Sequence, residues 1–430
     1  MIRLFDIRHS RSIPKMLEQH RTESSAPAEQ VVGGILRTVR RNGDQALRSY
    51  TRKFDGAEIH ELRVPVKEIS AALRNADPEF VRLLKEAARN IRRYHERQRH
   101  ESWQLAGPSG SSLRQRYSSV ESAGVYVPGG KAAYPSTVLM NVVPARVAGV
   151  KRIALASPPD KNGRVHPDVL TAAAILNVRE VYRVGGAQVI AAFAYGTRSI
   201  APVDVIVGPG NIYVATAKRM VFGAVGIDGI AGPSEVVILA DDAAQPEFVA
   251  SDMLAQAEHD ALASSILVTS SIVLAKEVQK SIERLIKTLP RRNLIAVSLK
   301  DRGAIVVVRN IALAVKVVND LAPEHLEIIT KNDEAVLKKI KNAGSIFVGN
   351  YSPVALGDYF AGPNHVLPTE RTARFSSPLS VDTFMKKSSI IRYSRNAMNA
   401  VGEKVAQFAE HEGLTAHALS ARLRKKKNSL

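Results

Sequence analysis

Short apolar runs alternate with helical patterns through most of this chain, and glycine-rich turns follow several of the runs. A first series of strand-like runs lies at residues 124–127, 152–156, 180–184, 203–207 and 236–239. A second series lies at residues 265–269, 294–297, 305–308, 326–330 and 345–348. Strand–loop–helix alternation is typical of a parallel sheet with helices on its faces. We therefore predict an α/β fold with two open, mostly parallel-sheet (incomplete Rossmann-like) domains plus small N- and C-terminal helical appendages.

The composition argues against several classes of protein. The 430 residues are 45% hydrophobic, enough to bury a large core. No run approaches the roughly 18 consecutive apolar residues of a membrane span, and the first residues lack the apolar stretch of a secretory signal. We expect a cytoplasmic protein with no membrane partner. Cysteine is absent, so any metal must bind nitrogen and oxygen ligands.

The charge is strongly basic, with 60 Lys and Arg against 41 Asp and Glu, a net +19. Such an excess can mark a nucleic-acid partner. Here the basic residues are spread along the chain, and only 5% of the residues are aromatic and able to stack on bases. Attraction of anionic small molecules explains the charge at least as well, and nucleic-acid binding is kept as an alternative.

A polar line marks the segment at residues 254–260. Pro246 and Glu247 suit the first turn of a helix, on which Gln256 and His259 would share one face with Asp252. An imidazole nitrogen and an amide oxygen could be two ligands of a bound cation. A solvated helix face would have the same pattern, so this segment alone leaves both readings open.

Other motifs carry possible chemistry. Glycine loops follow three predicted strands at residues 128–130, 185–186 and 208–210, where open parallel sheets bind anionic ligands. Glu324 and His325 could form a general acid–base pair, and Asp358 could supply an oxygen ligand. Glu412 and His417 add an acid and an imidazole before the basic tail.

Six motifs along the chain resemble those of histidinol dehydrogenases. They are GVYVPGG (124–130), GPGNIY (208–213), AGPSE (231–235), QAEHD (256–260), PEHLE (323–327) and GPNHVLP (362–368). The resemblance implies a zinc-dependent homodimer with shared active sites. Such an enzyme oxidises L-histidinol to L-histidine with two NAD in the last step of histidine biosynthesis.

The resemblance also implies a role for individual residues. One zinc per subunit would be held by Gln256, His259, Asp358 and His417, and the catalytic pair would be Glu324 and His325. NAD would contact Tyr126, Gln188 and Asn211. Histidinol would be surrounded by Ser234, Gln256, His259, His325, Asp358, Glu412 and His417. Two departures from the family pattern stand at Val205, where a lysine is frequent, and at Glu370-Arg371, where small residues are frequent.

The expected domains follow from these roles. They are an N-terminal segment (1–20), a larger α/β domain with metal and catalytic residues (21–125 and 235–378), an inserted NAD-binding domain (126–234) and a dimer-swapped C-terminal appendage (379–430). Because the chain has no thiol, the aldehyde intermediate must be oxidised as its hydrate, with Glu324 activating water and His325 relaying protons. The alternatives are a metal-dependent hydrolase, which needs no nucleotide-type loops, and a basic nucleic-acid-binding protein, which needs no Glu-His pair.

Overall fold

The computed structural model describes residues 2–8, 26–129 and 133–425. The chain forms two compact units, Met1–Gln98 with Val120–Phe384, and Arg99–Ser119 with Met385–Leu430. Most of the predicted N-terminal segment, residue 1 and residues 9–20, lies outside the described residues. The division into four functional domains stays a prediction.

Strands and helices alternate through the first unit, as the apolar pattern predicts. The strands in chain order are β1 (Arg3–Asp6), β2 (Trp103–Ala106), β3 (Ser112–Ser119), β4 (Ser122–Tyr126), β5 (Arg152–Ala156), β6 (Glu180–Tyr182), β7 (Val205–Val207), β8 (Gly226–Ile227), β9 (Glu235–Ala240), β10 (Ser264–Thr269), β11 (Gly303–Val307), β12 (His325–Ile329), β13 (Ser345–Val348) and β14 (Met385–Arg392). The α-helices are α1 (Ala26–Asp55), α2 (Val66–Asn75), α3 (Pro78–Glu96), α4 (Pro135–Ala148), α5 (Pro167–Ile175), α6 (Gly186–Tyr195), α7 (Ile212–Val221), α8 (Pro246–Ala257), α9 (Ile272–Leu285), α10 (Arg292–Arg302), α11 (Ile311–Leu321), α12 (Asp333–Leu337), α13 (Val354–Tyr359), α14 (Arg395–His411) and α15 (Thr415–Arg422).

Two parallel sheets of the same design form the first unit. The five-stranded sheet has the order β6-β5-β4-β7-β8, and the six-stranded sheet has the order β1-β11-β10-β9-β12-β13. All neighbours in both sheets are parallel. In the five-stranded sheet β4 lies in the middle, with β5 and β6 on one side and β7 and β8 on the other. In the six-stranded sheet β9 is flanked by β10 and β11 on one side, with β1 beyond them, and by β12 and β13 on the other. Residues 236–239, which close the first series in the sequence, thus belong to the second sheet. The predicted α/β fold with two open parallel sheets is confirmed.

The five-stranded sheet is covered by helices from two parts of the chain. Helix α1 packs on α6 and α7, whereas α2 packs on α5 and α3 packs on α4. Phe193 of α6 lies fully buried over β4. A Cβ at Gly124 in that strand would lie 2.7 Å from the Phe193 ring, so this strand needs glycine where the helix crosses it.

The six-stranded sheet is buried on both faces. Val236 and Ile238 of β9 join the core cluster with Met253 of α8, while Val237 and Leu239 join the opposite cluster with the α11 side chains. Successive strand residues point to opposite faces, so a strand covered on both sides consists of a continuous apolar run. Residues 236–239 form such an apolar run, which is why the sequence predicts a strand there.

One strand prediction was wrong. Residues 294–297 belong to helix α10. Ile295, Ser298 and Leu299 are buried and Val297 is exposed, a spacing of three and four that fits a helix face. A short apolar run cannot by itself be assigned to strand or helix, and here packing against α8 and β10 decides.

The second unit contains a sheet that we did not predict. Strands β14, β3 and β2 lie in that order and pair antiparallel. The C-terminal appendage was expected to be helical, and it also supplies β14. Helices α14 and α15 pack together through Ala406, Ala409, Ala418 and Ala421. Among the described residues, no helix is long and apolar enough to cross a membrane.

Candidate active site

The predicted catalytic pair lies where two neighbouring strands of the six-stranded sheet begin. His325 is the first residue of β12, beside Val236 of β9, and Glu324 directly precedes it. Helix α8 runs back across the sheet between β9 and β10, so its last turn, which carries Gln256, returns to the same amino-terminal edge. The candidate site therefore lies opposite the carboxyl edge that open α/β sheets generally use.

Glu324 and His325 are both buried and are held by β9. Each is 5% exposed. The backbone N–H of Glu235 donates to Glu324 Oε2 at 2.8 Å, and His325 Nδ1 lies 3.0 Å from the backbone oxygen of Glu235. A carbonyl oxygen only accepts, so this contact places the proton of a neutral imidazole on Nδ1 and leaves Nε2 as the basic atom.

Asp358, on α13, is the second acid beside His325. Its Oδ1 lies 3.8 Å from His325 Nε2, and Glu324 Oε2 lies 3.5 Å from His325 Nδ1. Burial alone would lower the pKa of His325, but the negative charges of Glu324 and Asp358 outweigh burial and raise it well above its ordinary value. Burial would likewise raise the pKa of Asp358, but His325 outweighs that effect and lowers it. The arrangement stabilises a protonated imidazole between two carboxylates.

The predicted Gln256–His259 pair lies at the end of α8. The helix begins at Pro246, as predicted, but it ends at Ala257, two residues before His259. His259 is in the following turn, where its N–H donates to the Gln256 oxygen at 3.3 Å. Gln256 is 3% exposed and its Nε2 has no hydrogen-bond partner, whereas His259 is exposed.

Electrostatic contacts connect this turn with α13. His259 contributes to the lowered pKa of Asp358. The neighbouring residues also interact: burial raises the pKa of Tyr359, and the charges of Asp358 and Glu258 add to the effect. Within the part of the chain that the structure describes, no three His, Asp or Glu side chains converge as a metal site.

The predicted NAD contacts lie around the five-stranded sheet. Tyr126 ends β4, and its hydroxyl accepts the Gly186 N–H at 3.4 Å. Gln188 is 1% exposed with an unpartnered Oε1. Asn211 follows β7 and caps α7, its Oδ1 accepting from the N–H groups of Tyr213 and Val214. Strand order reverses between β4 and β7, which is where such sheets form a crevice for dinucleotides.

A buried ion pair holds the loop that follows β7. Lys218 of α7 pairs with Asp228, and both side chains are 3% exposed. Lys218 Nζ donates to the Gly208 oxygen at 3.0 Å, and the Gly208 N–H donates to Asp228 Oδ2 at 2.8 Å. Sequence reading did not single out this pair, because its members are ten residues apart and only the fold joins them to Gly208.

The other predicted substrate residues lie in two places. Ser234 is half-buried directly before β9, and its backbone oxygen accepts the Ser264 N–H at 3.0 Å. Glu412 and His417 are exposed in the second unit, at the end of α14 and on α15. Their predicted part in the site stays a prediction.

Two polar groups beside the site were missed. His365 Nδ1 contacts the backbone oxygen of Asp358 at 3.0 Å, and its Nε2 lies 3.4 Å from Thr137 Oγ1. Glu327, 1% exposed, accepts the Val354 N–H at 3.1 Å. Burial and the Asp252 charge raise the pKa of Glu327 well above its ordinary value. The sequence signals for these two residues were the position of His365 in a glycine-containing motif and the presence of an acid, Glu327, within an apolar strand.

Similar proteins agree with the motif resemblance. The family model of histidinol dehydrogenase matches residues 18–425. The histidinol dehydrogenase of Bacillus subtilis is 54% identical over 93% of both chains, and that of Bacillus licheniformis is 56% identical over 90% of this chain and 91% of its own. The crystal structure of histidinol dehydrogenase from Elizabethkingia anophelis covers 98% of both chains with a TM-score of 0.91 and 34% identity.

The matched residues include both parallel sheets apart from β1, the second unit as far as residue 425, and each motif from Gly124 to Pro368. This chain belongs to the histidinol dehydrogenase family of oxidoreductases.

Proposed function

We propose that this protein oxidises L-histidinol to L-histidine with two NAD, as a zinc-dependent cytoplasmic homodimer that performs the last step of histidine biosynthesis. The observation that supports this most is the buried Glu324–His325–Asp358 cluster in a chain without a thiol. The balanced reaction consumes one water and two NAD⁺ per alcohol and forms a carboxylate, two NADH and three protons.

His325 is the base for the alcohol step. In its neutral form the imidazole directs its Nδ1 proton at the backbone oxygen of Glu235, so Nε2 can then take the proton of the substrate hydroxyl. The two neighbouring carboxylates then stabilise the imidazolium. NAD, when bound, accepts the hydride that leaves the carbinol carbon.

Glu324 serves the aldehyde step. Without a thiol, the aldehyde has to add water before the second hydride can leave the same carbon. Glu324 removes a proton from this water, while the Glu235 N–H fixes the orientation of its carboxylate. His325 again takes the proton released as the hydrate is oxidised, so it acts in both steps.

Gln256, His259 and Asp358 fit part of a zinc site. Gln256 would offer its side-chain oxygen, since its carboxamide is buried at the end of α8, directly before the turn that carries His259. The lowered pKa of Asp358 keeps it ionised, and nitrogen and oxygen donors suit zinc. Zinc, when bound, would position histidinol through the amino and imidazole nitrogens of the substrate. His417 would be the fourth protein ligand of the zinc.

Tyr126, Gln188 and Asn211 are the proposed NAD contacts. Tyr126 is the last residue of β4, and Asn211 lies in the loop after β7; these are the two strands at the crevice of the five-stranded sheet. The N-terminus of α7 beside Asn211 presents a positive helix end to an anionic ligand.

The second unit supports a homodimer. Its helices and the residues that cap them expose Val405, Phe408, Leu414, Leu419 and Leu423, and its strands expose Trp103, Leu105 and Ile391. The buried side chains shared by the two helices are mainly alanines, so this unit has little core of its own. A partner subunit would cover such apolar surface and would receive Glu412 and His417 in its active site.

Stoichiometry tests the proposal. Purified enzyme with L-histidinol and excess NAD should form two NADH per histidinol consumed, with histidine as the product. The same protein without histidinol provides the blank. One NADH per histidinol with accumulated aldehyde, or no NADH, would contradict the proposed reaction.

A further inference from the structure

We infer that Glu235 is a positioning residue for Glu324, and that its side chain serves the water-activating step of aldehyde oxidation. This inference rests on the proposed function. Glu235 precedes Glu324 by 89 residues and was not among the predicted site residues.

The two glutamates exchange hydrogen bonds. The Glu235 N–H donates to Glu324 Oε2 at 2.8 Å, and the Glu324 N–H donates to Glu235 Oε1 at 3.3 Å. The side chain of each residue thus holds the backbone of the other. This doubly bridged pair restricts both the position of Glu324 before β12 and the rotation of its carboxylate.

Glu235 also connects this pair with a third segment. The Glu370 N–H donates to the same Glu235 Oε1 at 3.0 Å. Glu370 and Arg371 have φ angles of 51° and 66°, in the left-handed region that is unfavourable for residues other than glycine. The hydrogen bond from the Glu370 N–H to Glu235 helps to hold the turn in this conformation. In this conformation the Glu370 side chain fills the space beside Gly232.

The hydrogen bonds need an acceptor at Glu235 but not a charge. Burial and the nearby Glu324 charge raise the pKa of Glu235 to about 8, so this carboxyl is mostly neutral near pH 7. A glutamine has the same length and also offers an oxygen acceptor. Glu235→Gln should therefore preserve the network, whereas Glu235→Ala should leave the N–H groups of Glu324 and Glu370 without their acceptor.

The experiment compares the two half-reactions in each variant. Glu235→Ala should slow oxidation of the aldehyde about tenfold more than oxidation of histidinol, because a small displacement of Glu324 weakens the attack of water. Glu235→Gln should retain at least about a third of both rates, since it keeps the acceptor. Histidinol oxidation in the same sample shows that the variant is folded.

A double mutant separates positioning from general stability. In the Glu324→Gln background, Glu235→Ala should slow aldehyde oxidation further by less than about threefold, because residues that act as a unit are not additive. Glu180→Ala, which removes the carboxylate paired with Arg152 in the other sheet, is the control for a structural loss. Glu180→Ala should slow both half-reactions by the same factor. In the Glu324→Gln background it should slow aldehyde oxidation by that same factor again.

Equal losses in both half-reactions for Glu235→Ala, additive with Glu324→Gln, would overturn the inference. The proposed function would stand in that case as long as the unmodified enzyme still forms two NADH per histidinol.

Discussion

His325 and Asp358 face each other at the centre of the candidate site, with Nε2 3.8 Å from Oδ1. This distance allows electrostatic attraction but exceeds a hydrogen bond. His325 Nε2 has no hydrogen-bond partner in the structure although the residue is buried. An unpaired basic nitrogen beside an ionised carboxylate is suited to accept a substrate proton, and Asp358 also stabilises the charge that results.

The proposed metal site predicts loss of activity on metal removal. Chelation should abolish NADH formation and added zinc should restore it. His259→Asn should lose both zinc and activity while remaining folded, because the side chain is exposed. Metal content by elemental analysis and circular dichroism measure the two effects.

His60→Asn is the matched control, since His60 is also exposed and lies far from α8 in sequence. It should retain zinc and activity. Full turnover by protein verified to be free of metal would contradict the assignment.

The catalytic pair predicts different effects on the two half-reactions. Glu324→Gln should slow aldehyde oxidation by about a hundredfold and histidinol oxidation much less, because only the aldehyde step needs an activated water. His325→Asn should slow both, since each releases a proton. Single-turnover measurements started from histidinol or from the aldehyde separate the steps, and equal small losses for Glu324→Gln would argue against this division.

The shared-site dimer predicts complementation. His259→Asn chains and His417→Asn chains should each be inactive alone. After subunit exchange, a mixed dimer has one site with both defects and one intact site, so activity should return to about half of normal per mixed dimer. Mixing each variant with itself is the control, and no recovery in demonstrably mixed dimers would rule out sharing.

Glu235 predicts a pH dependence of stability. Its folded pKa is about 8, above the unfolded value of 4.5. Between pH 4.5 and about pH 8 the folded state binds more protons than the unfolded state. The contribution of Glu235 to the free energy of unfolding is therefore fully present below pH 4.5 and is lost as the pH rises through about 8. The slope is at most about 1.4 kcal/mol per pH unit for one proton.

Urea unfolding between pH 5 and pH 9 measures this effect. Glu235→Gln cannot ionise and should lose less stability over that range than the unmodified protein. Parallel stability curves for the two proteins would show that Glu235 does not titrate in this way.

The buried Lys218–Asp228 pair predicts both a stability and a binding effect. Lys218→Met leaves Asp228 as an unpaired buried charge and should destabilise the protein by about 3 kcal/mol. It should also raise the KM for NAD, because Gly208 loses the Lys218 contact. Lys280→Met removes an exposed pair with Glu277 and should change stability by less than about 1 kcal/mol. Similar effects of both substitutions would contradict the role of burial.

The sequence by itself was sufficient to predict two parallel sheets and to place the proposed catalytic pair side by side. Strands β5 and β13 have the predicted bounds. Strand β5 is buried on both faces and is therefore apolar throughout, whereas β13 is a half-buried edge strand whose ends are marked by Gly344 and Gly349. Glu324 and His325 are neighbours in the chain, so their proximity required no fold. The expected NAD loops follow from the rule that parallel strands end at one edge.

Only the tertiary structure decided the features that depend on distant contacts. Residues 294–297 became helical because Ile295 and Leu299 pack on one side of α10. The polar strands β3 and β14 lack an apolar pattern and were recognisable only through their pairing across the chain. Glu235 acquires its role from a hydrogen-bond exchange over 89 residues. Local sequence determines which residues favour a strand or helix, but packing and hydrogen bonding between remote segments determine where each side chain acts.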